Sequence, residues 1–362
     1  MLRIERIRLY SGRMPVDLEF SYGSVRSLSY CIAEVTAGGE VGWGEGDSIR
    51  ADECVALGRS LLGQDALRLD QLIPRVAFAW RTSVAREMFS MALHDLVARH
   101  AGLPLYVLLG GWQRERVPLM PCIFPKTPEH AREVARRFVA AGFNALKVKI
   151  FGKPDLDLAL IGAVREVLPA GYLQADANCG YKTRAEARAI LPRLAEAGLT
   201  TVEDPADVAP EEYLELLAVS PRPRVMLDAP TRGDAGLAKV LRLQCADAVN
   251  LHPNMQGTFS EIRERAAACR LAGLPVQVGG TGYTGVGAFA HLHVAAVYGT
   301  DFPFGELGGW VDHGMPASTA AAPLPVQAGS AIVPCMPGHG GALNHDYLRA
   351  NAEVIEVSEE AV

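Results

Sequence analysis

Two lysines one residue apart, Lys147 and Lys149, lie in the short apolar segment 144–150. The segment is typical of a buried strand, in which residues i and i+2 face the same side, so the two side chains are expected to project together. Adjacent ammonium groups repel each other, which lowers the pKa of at least one of them. A lysine with a lowered pKa can act as a general base near neutral pH. Taken alone, the pair is equally compatible with a surface strand that carries two solvated lysines.

Three further β-type segments follow, and each carries an acidic residue at its C-terminal end: 171–178 with Asp176, 199–205 with Glu203, and 224–230 with Asp228. Starting from Lys149, the successive spacings are 27, 27 and 25 residues. A strand, a helix and two loops fill that length in a repeating βα unit. A single acid of this kind is usually a helix cap or a surface carboxylate, but three in register on successive strands indicate a shared site.

The same alternation of strands and helices continues over eight strands. It predicts an α/β fold, a (β/α)8 barrel of the TIM type. The predicted strands are 117–122, 144–150, 171–178, 199–205, 224–230, 247–252, 274–279 and 301–306. Helices are predicted between them at 131–141, 156–167, 184–198, 211–219 and 288–298. Functional residues in such barrels lie at the C-terminal ends of the strands, so the two lysines and the three carboxylates are expected to converge. Carboxylates without cysteine or histidine form a hard oxygen site, which suits Mg2+, with Mn2+ as the alternative.

The N-terminal third of the chain follows a different pattern. Its predicted elements are, in order, strands at 2–10, 27–35 and 41–45 and helices at 51–62 and 83–100. The pair Gly38-Gly39 between the last two strands indicates a hairpin. A strand meander followed by helices predicts a small α+β domain that ends near Gly111.

Composition excludes several classes of protein. The 362 residues are 49% hydrophobic and carry a formal net charge of −6, and an acidic chain without a basic cluster argues against nucleic acid as a partner. Seven scattered cysteines without a CxxC pair favour a reducing compartment and argue against a disulfide framework or a zinc site. No segment is apolar enough to span a bilayer and the charged N-terminus is no signal peptide, so a cytoplasmic protein without membrane contact is expected.

These residues resemble the enolase superfamily, and within it the muconate-cycloisomerase-like (mandelate racemase/muconate lactonizing enzyme) family. The matching motifs are Lys147-x-Lys149, Asp176-x-Asn178, Glu203-Asp204-Pro205 and Asp228. The resemblance implies that Asp176, Glu203 and Asp228 bind one Mg2+. It also implies that Lys149 removes a proton from the carbon next to the substrate carboxylate, while Lys147 depresses the pKa of Lys149 and touches that carboxylate. A metal that stabilises the enediolate and a lysine that moves the proton agree with this assignment.

The sequence departs from the family pattern at two positions. His252 stands at the end of the sixth predicted strand, where the family usually carries a second lysine opposite the first. With a reference pKa near 6.5 it is predicted either as a catalytic acid or base or as a hydrogen-bonding contact. Ala229-Pro230 follows Asp228, where the family commonly has a glutamate. The sequence therefore predicts proton abstraction by Lys149 but supplies no second lysine for racemisation by two bases.

The resemblance further implies that residues 1–112, completed by the tail 325–362, form a capping domain over a catalytic barrel at 113–324. The cap segments 19–24 and 46–50 are then candidate specificity loops, with plain surface loops as the alternative. The predicted contacts to a small carboxylate substrate are Tyr22, Ser48, Asn178, Asn250 and Glu306. A homo-oligomer is also expected from the resemblance. The glycine-rich segment 279–287 either cradles a phosphate or carboxylate with its N–H groups or only permits a tight turn.

Three reactions compete within this interpretation: racemisation or epimerisation, cycloisomerisation, and β-elimination of water. The lysine pair favours the first two, with an N-acylamino acid, a dipeptide or a muconate-like compound as substrate. His252 favours dehydration of a hydroxy or sugar acid, because it could protonate a leaving hydroxyl. Two alternatives from other classes are a metal-binding barrel without turnover and a metal-free phosphate-binding barrel built on the segment 279–287.

Overall fold

The computed structural model describes residues 1–280, 284–299, 301–305 and 319–358. Its N-terminal part is an antiparallel sheet of three successive strands, β1 (Ile4–Phe20), β2 (Gly23–Ala37) and β3 (Glu40–Asp47). The turn between the last two strands is Gly38-Gly39, and both glycines have positive φ. The predicted hairpin is therefore present, because glycine adopts this backbone conformation without a steric penalty.

The first strand is longer than predicted. It forms a long hairpin with β2 that includes the segment 19–24, and Phe20 pairs with Gly23 next to the turn. The pairing register shifts between Pro15 and Leu18, where the missing proline N–H interrupts a regular ladder. The sequence pattern missed this extension because the polar run 11–13 interrupts the apolar alternation.

Four helices follow this sheet: α1 (Val55–Leu61), α2 (Leu69–Leu72), α3 (Trp80–His100) and α4 (Leu105–Leu108). α3 packs directly on β3 because Gly42 and Gly44 have no side chains. A Cβ at either position would collide with backbone atoms of Ala92 or Met88. α1 begins later than predicted because residues 51–53 form a turn of 3-10 helix.

The central part is a barrel of parallel strands. Its strands are β4 (Arg116–Met120) and β5 (Cys122–Ile123), β6 (Ala145–Lys149), β7 (Tyr172–Asp176), β8 (Thr201–Glu203), β9 (Arg224–Leu227), β10 (Ala248–Leu251), β11 (Val276–Val278) and β12 (Phe304–Gly305). The strands from β5 to β11 pair in sequence order. β12 pairs with β4, and a bridge between Gly279 and Gly305 joins it to β11, so the ring closes. β4 and β5 are one barrel strand interrupted at Pro121, and the predicted barrel is confirmed.

The connections between barrel strands are helical: α5 (Pro128–Ala140), α6 (Pro154–Val167), α7 (Arg184–Glu196), α8 (Tyr213–Leu217), α9 (Gly233–Leu243), α10 (Pro253–Gln256), α11 (Phe259–Leu271) and α12 (Val286–Tyr298). Thr127, Thr183 and Thr258 cap α5, α7 and α11 by accepting a backbone N–H. α5 and α6 begin earlier than predicted because proline at the first helical position fits a helix start. The periodicity did not single out α9 and α11.

The C-terminal tail contributes β13 (Val326–Gln327), β14 (Ser330–Ile332), α13 (His345–Asn351) and β15 (Ala352–Val357). β14 pairs with β4 of the barrel, and β15 pairs with β1 of the N-terminal sheet. The tail therefore ties both parts together, while the domain boundaries after residues 112 and 324 stay a prediction. Among the described residues, no helix combines the length and apolar character that a membrane crossing requires.

Candidate active site

The predicted lysines and acids meet at the C-terminal ends of adjacent barrel strands. The parallel register sets Lys149 of β6 beside Asp176 of β7, and Asp176 beside Glu203 of β8. All of these side chains are buried, and Lys147 has no exposed surface at all. The surface-strand alternative for the two lysines is thus excluded.

Two carboxylates compensate the charge of both lysines. Asp176 Oδ2 lies 2.6 Å from Lys149 Nζ and 3.1 Å from Lys147 Nζ. Lys147 Nζ also lies 2.9 Å from Glu203 Oε2. Ion pairing of this kind is what makes buried charges tolerable. The repulsion predicted between the two ammonium groups is offset by a carboxylate that lies between them.

Asp228 follows β9 and is held by its neighbours. Asp204, whose φ of 41° lies in the left-handed region, accepts the backbone N–H groups of Asp228 and Ala229 at 3.0 and 2.9 Å. Burial raises the pKa of the Asp204 carboxyl well above its usual range, and the nearby acids Asp228, Glu203 and Asp176 add to the effect. Arg232 donates a hydrogen bond to Asp228 Oδ2 at 2.8 Å, which compensates the charge of that carboxylate.

A group of three buried side chains could hold a metal ion. Glu203, Asp228 and His252 each offer one ligand atom, and these atoms lie within 4.8 Å of one another. The structure thus brings together two of the three predicted metal ligands and adds the histidine. Asp176 is not part of this group; its Oδ1 accepts the backbone N–H of Asn178 at 2.8 Å, and its Oδ2 contacts the lysines.

Unsatisfied oxygen atoms show that these residues fit a divalent cation. Asp228 Oδ1, Asn178 Oδ1 and Asn250 Oδ1 are buried, and none has a hydrogen-bond partner within the described ranges. A buried oxygen without a donor is costly, and such atoms in a native protein usually meet water, substrate or a metal. Oxygen atoms are also the ligands that Mg2+ and Mn2+ prefer.

The end of β10 positions His252 against the acids. Asn250 Nδ2 lies 3.0 Å from Glu203 Oε1 and 3.1 Å from His252 Nε2. The end of β11 is closely packed against the same ring, since a Cβ on Gly279 would collide with the His252 ring and with Asn250 Oδ1. Asn250, a predicted substrate contact, therefore lies between a predicted metal ligand and His252.

Two glutamines inside the barrel support Glu203 and were missed by the sequence prediction. Gln174 Nε2 donates to Glu203 Oε2 at 2.6 Å and to Gln277 Oε1 at 3.0 Å. Gln174 precedes Asp176 by two residues on β7, so the two side chains share one face of that strand. The sequence did contain a signal for Gln174: it is a polar residue in an otherwise apolar strand, two positions before a predicted ligand.

The tip of the cap hairpin lies at the barrel mouth. The Lys149 ammonium is 5.4 Å from the ring centroid of Phe20 and 5.7 Å from that of Phe124, which follows β5. Ser21 donates to the backbone carbonyl of Asn178 at 3.1 Å. Tyr22 stacks on Phe20 with centroids 4.9 Å apart, and 69% of its surface is exposed.

The other predicted substrate contacts are placed as follows. The Asn178 side chain donates to Asp176 Oδ2 at 3.2 Å, inside the site. Ser48 donates its backbone N–H to Ser29 O, and the adjacent Asp47 accepts from Asn254 of α10 at 3.0 Å. The segment 46–50 thus contacts the barrel through Asp47, and a substrate contact by Ser48 stays a prediction. Glu306 lies outside the described residues.

The glycine-rich segment binds a carboxylate of the protein itself. Glu45 of β3 accepts the backbone N–H groups of Thr284, Gly285 and Gly287 and the Thr284 hydroxyl, at the N-terminus of α12. Burial raises the pKa of Glu45, although these hydrogen bonds act in the opposite direction. An internal carboxylate already fills the described part of the cradle, which weakens the phosphate-binding alternative.

Histidines elsewhere have packing roles. His291 Nε2 lies 2.7 Å from Glu87 Oε1, and His293 Nδ1 accepts the backbone N–H of Tyr106 at 3.1 Å. Burial lowers the pKa of His293 to about 3. In the cap, His94 and Asp95 are buried and bonded to protein groups: His94 Nδ1 to Ser90 O, and Asp95 to the backbone N–H of Trp43.

Comparison with known proteins places this site in a family. Residues 4–110 match the model for the mandelate racemase/muconate lactonizing enzyme N-terminal domain, and residues 129–347 match the enolase C-terminal domain-like model. An N-succinylamino acid racemase of Thermus thermophilus is 30% identical over 83% of this chain and 85% of its own length. A chloromuconate cycloisomerase of Pseudomonas putida is 27% identical over 96% and 98%, respectively.

A solved structure supports the same conclusion for the fold. The dipeptide epimerase of Cytophaga hutchinsonii, crystallised with Mg and the dipeptide D-Ala-L-Val, superimposes with a TM-score of 0.86 at 24% identity, covering 99% of this chain and all of the other. The two family models confirm the resemblance predicted from the lysine and carboxylate motifs. The chain belongs to the mandelate racemase/muconate lactonizing enzyme family of the enolase superfamily.

Proposed function

We propose that this protein is a divalent-metal-dependent isomerase that removes a proton from the carbon next to a substrate carboxylate. The reaction passes through an enediolate and gives racemisation, epimerisation or cycloisomerisation. The observation that carries this proposal is the buried contact of Lys149 Nζ with Asp176, 2.6 Å long, beside the metal-binding group of Glu203 and Asp228. A base and an acidic cation site within one cavity are the two parts that enolisation requires.

The carboxylates Glu203 and Asp228, with Asp176 next to them, would hold Mg2+ or Mn2+. An ion bound there supplies positive charge that stabilises the two negative charges of the enediolate. The specific observation in favour of a bound cation is that Asp228 Oδ1 has no hydrogen-bond partner among the described residues. Arg232 and Lys147 already supply positive charge to Asp228 and Glu203, and we expect these contacts to weaken when a cation competes for the same oxygens.

Lys149 is the proposed base, and its surroundings fit that role. Its ammonium group is only slightly exposed and lies beside the rings of Phe20 and Phe124. These rings limit the access of water to the reacting carbon. Lys147 has no exposed surface and bridges Asp176 and Glu203. Its proposed role is to hold these two carboxylates in place and to contribute charge near the substrate carboxylate.

The proposed substrates carry an apolar or amide-containing group beside the reacting carbon. Phe20, Tyr22 and Phe124 present aromatic surface close to Lys149, which favours packing of an apolar substituent over a sugar chain. This agrees with relatives named for N-succinylamino acids, dipeptides and chloromuconate. The same proposal includes substrate contacts by Asn178, Asn250, Tyr22 and Ser48. It also includes self-association of the chain, which light scattering would measure.

The test is hydrogen exchange in D2O, read by mass spectrometry. A pool of N-acylamino acids, dipeptides, muconates and sugar acids is incubated with the protein and Mg2+ or Mn2+. The expected result is a gain of about one mass unit without loss of water in at least one compound, because a proton is removed and a deuteron returned. A muconate that isomerises forms a lactone that also carries one deuteron, because ring closure leaves an enediolate that takes up a proton derived from the solvent.

Two variants make the result specific. Lys149→Ala is expected to abolish the exchange, whereas Lys239→Ala changes a lysine on α9 that pairs with Glu211 at the surface and is expected to retain it. Loss of about 18 mass units would assign dehydration instead. The proposal is overturned when no compound changes in a manner that depends on both Lys149 and the metal.

A further inference from the structure

We infer that His252 is a ligand of the catalytic cation, and that this nitrogen ligand shifts the preference of the site from Mg2+ toward Mn2+, Co2+ or Zn2+. The inference rests on the proposed function for the existence of the cation. It departs from the sequence prediction, which gave His252 an acid–base role or a hydrogen bond and gave the cation three carboxylates.

The first argument is distance. Two ligand atoms that share one ion lie no farther apart than twice the metal–ligand distance, which is about 4 Å for nitrogen and oxygen ligands of Mg2+ or Zn2+. The ligand atoms of Glu203, Asp228 and His252 lie within 4.8 Å of one another. All three residues are at most 7% exposed, so the surrounding protein holds them close to the positions that one ion would require.

The second argument is the position of the imidazole beside Glu203. Asn250 Nδ2 lies 3.0 Å from Glu203 Oε1 and 3.1 Å from His252 Nε2. A carboxylate oxygen only accepts, so the amide nitrogen, not the amide oxygen, must face Glu203. The second hydrogen of the same NH2 group then points to His252 Nε2, which must accept it with a lone pair. A cation bound by Nε2 would take the place of this hydrogen bond, since the same lone pair serves both.

The third argument concerns the predicted ligand Asp176. Its Oδ1 accepts from the Asn178 backbone, and its Oδ2 lies between Lys147 and Lys149. Asp228 Oδ1, by contrast, is buried without a hydrogen-bond partner in the described part of the chain, and so is Asn250 Oδ1 beside it. Two of the three unsatisfied oxygens named above therefore belong to Asp228 and to the neighbour of His252, while the third belongs to Asn178 beside Asp176.

A nitrogen ligand changes which metal the site prefers. Mg2+ selects carboxylate, carbonyl and water oxygens, whereas imidazole suits the later divalent metals. We therefore expect the site to bind Mn2+ and Co2+ more tightly than Mg2+. Replacement of His252 should weaken Mn2+ and Co2+ by at least about tenfold and Mg2+ by less.

The direct experiment is pulsed electron paramagnetic resonance on the Mn2+-loaded protein without added substrate. The wild-type chain is prepared twice, with natural histidine and with 15N-labelled histidine. Coordination by imidazole gives nitrogen modulation that changes from the 14N to the 15N pattern on labelling. No variant is required, so failure to fold cannot mimic the result.

Variants then assign the histidine. His252→Gln is expected to lose the modulation and to weaken Mn2+ in calorimetry, while His345→Gln, which changes an exposed histidine of α13, retains both. Gly279→Ala keeps the histidine but adds a Cβ that collides with its ring, and should weaken Mn2+ as well. Absence of histidine modulation from the Mn2+-bound wild-type protein, or its persistence in His252→Gln, overturns the inference.

Deuterium exchange separates this inference from the proposed function. Lys149-dependent exchange without histidine modulation leaves the isomerase proposal intact and returns His252 to an acid–base or hydrogen-bonding role. Histidine modulation without exchange on any compound supports the ligand assignment and counts against the proposed reaction. The two proposals therefore fail in different measurements.

Discussion

Lys149 Nζ lies 2.6 Å from Asp176 Oδ2, between adjacent parallel strands whose register sets the two residues side by side. The same oxygen also contacts Lys147 Nζ at 3.1 Å. One carboxylate oxygen therefore holds the proposed base and its lysine neighbour together in a buried cavity. Because the three charged side chains compensate one another, removing one of them changes the free energy cost of burying the other two.

The Asp176→Asn substitution is expected to lower the free energy of unfolding by about 3 to 5 kcal/mol, because it leaves a buried ammonium without its carboxylate partner. Lys149→Met in the same protein removes that ammonium. The double variant should therefore be more stable than the sum of the single effects predicts, with a coupling of at least about 1 kcal/mol. Urea unfolding followed by circular dichroism measures all four proteins.

The exposed pair Lys239 and Glu211 provides the control for this cycle. Its charged atoms lie 2.9 Å apart on the surface, and exposed pairs contribute at most about 1 kcal/mol. Glu211→Gln should therefore change stability little. Strict additivity of Asp176→Asn and Lys149→Met would show that the buried contact is not energetically coupled.

Gln174→Leu should weaken the binding of Mn2+ by about 10- to 100-fold, as expected for the loss of a group that orients a metal ligand. Gln174 donates to Glu203 Oε2 at 2.6 Å, and leucine has a similar size but no donor. Calorimetric titration of the metal-free protein measures the affinity. Gln327→Leu, an exposed change on β13, is the matched control; equal affinities for the two variants would exclude the orienting role.

The residues whose convergence the sequence predicted share one property, which is a fixed local period. Lys147 and Lys149 alternate on one strand, and Asp176, Glu203 and Asp228 recur at the length of a βα unit. The first signal arises within a single strand, and the second arises from the constant length of the repeat. Both can therefore be recognised without knowledge of the tertiary structure. The barrel and the convergence of its lysines and acids could therefore be predicted.

The residues that the sequence missed depend on contacts between distant segments. Gln174 meets Gln277 across the barrel, and Glu45 of the cap reaches the N-terminus of α12 about 240 residues later. No local period relates such positions. His252 was recognised, but its place beside Glu203 and Asp228 follows from strand length and side-chain direction at three strand ends, which the pattern does not encode.

Glu45→Gln should flatten the pH dependence of stability in mildly acidic solution. Burial raises the pKa of Glu45 from its ordinary 4.5, so the folded state binds this proton more tightly than the unfolded state. The contribution of Glu45 is then fully present below pH 4.5 and is lost as the pH rises through the raised value. Urea unfolding at a series of pH values above 4 measures this slope.

The matched control for this prediction is Glu40→Gln, at the exposed turn end of the same strand β3. It should leave the slope as in the wild-type protein. Glutamine at position 45 also gives up charge-assisted hydrogen bonds to α12, so a loss of about 1 to 3 kcal/mol near neutral pH is compatible with the assignment. An unchanged slope in Glu45→Gln would show that this carboxyl does not titrate in the folded protein over that range.

Phe20→Ala should lower kcat/KM by at least about tenfold for any substrate that passes the exchange assay, because a contact of this size in an apolar pocket contributes about 1 to 3 kcal/mol. Phe20 lies beside both Lys149 and Phe124, so its loss also admits water near the base.

Tyr22→Ala removes a largely exposed ring stacked on Phe20 and should act mainly on KM, by about two- to tenfold. Trp80→Ala, an exposed aromatic at the start of α3, should leave both constants unchanged. Initial rates for the three variants test whether the hairpin of β1 and β2 contacts the substrate. If it does not, Phe20→Ala and Tyr22→Ala will have the same kcat and KM as Trp80→Ala.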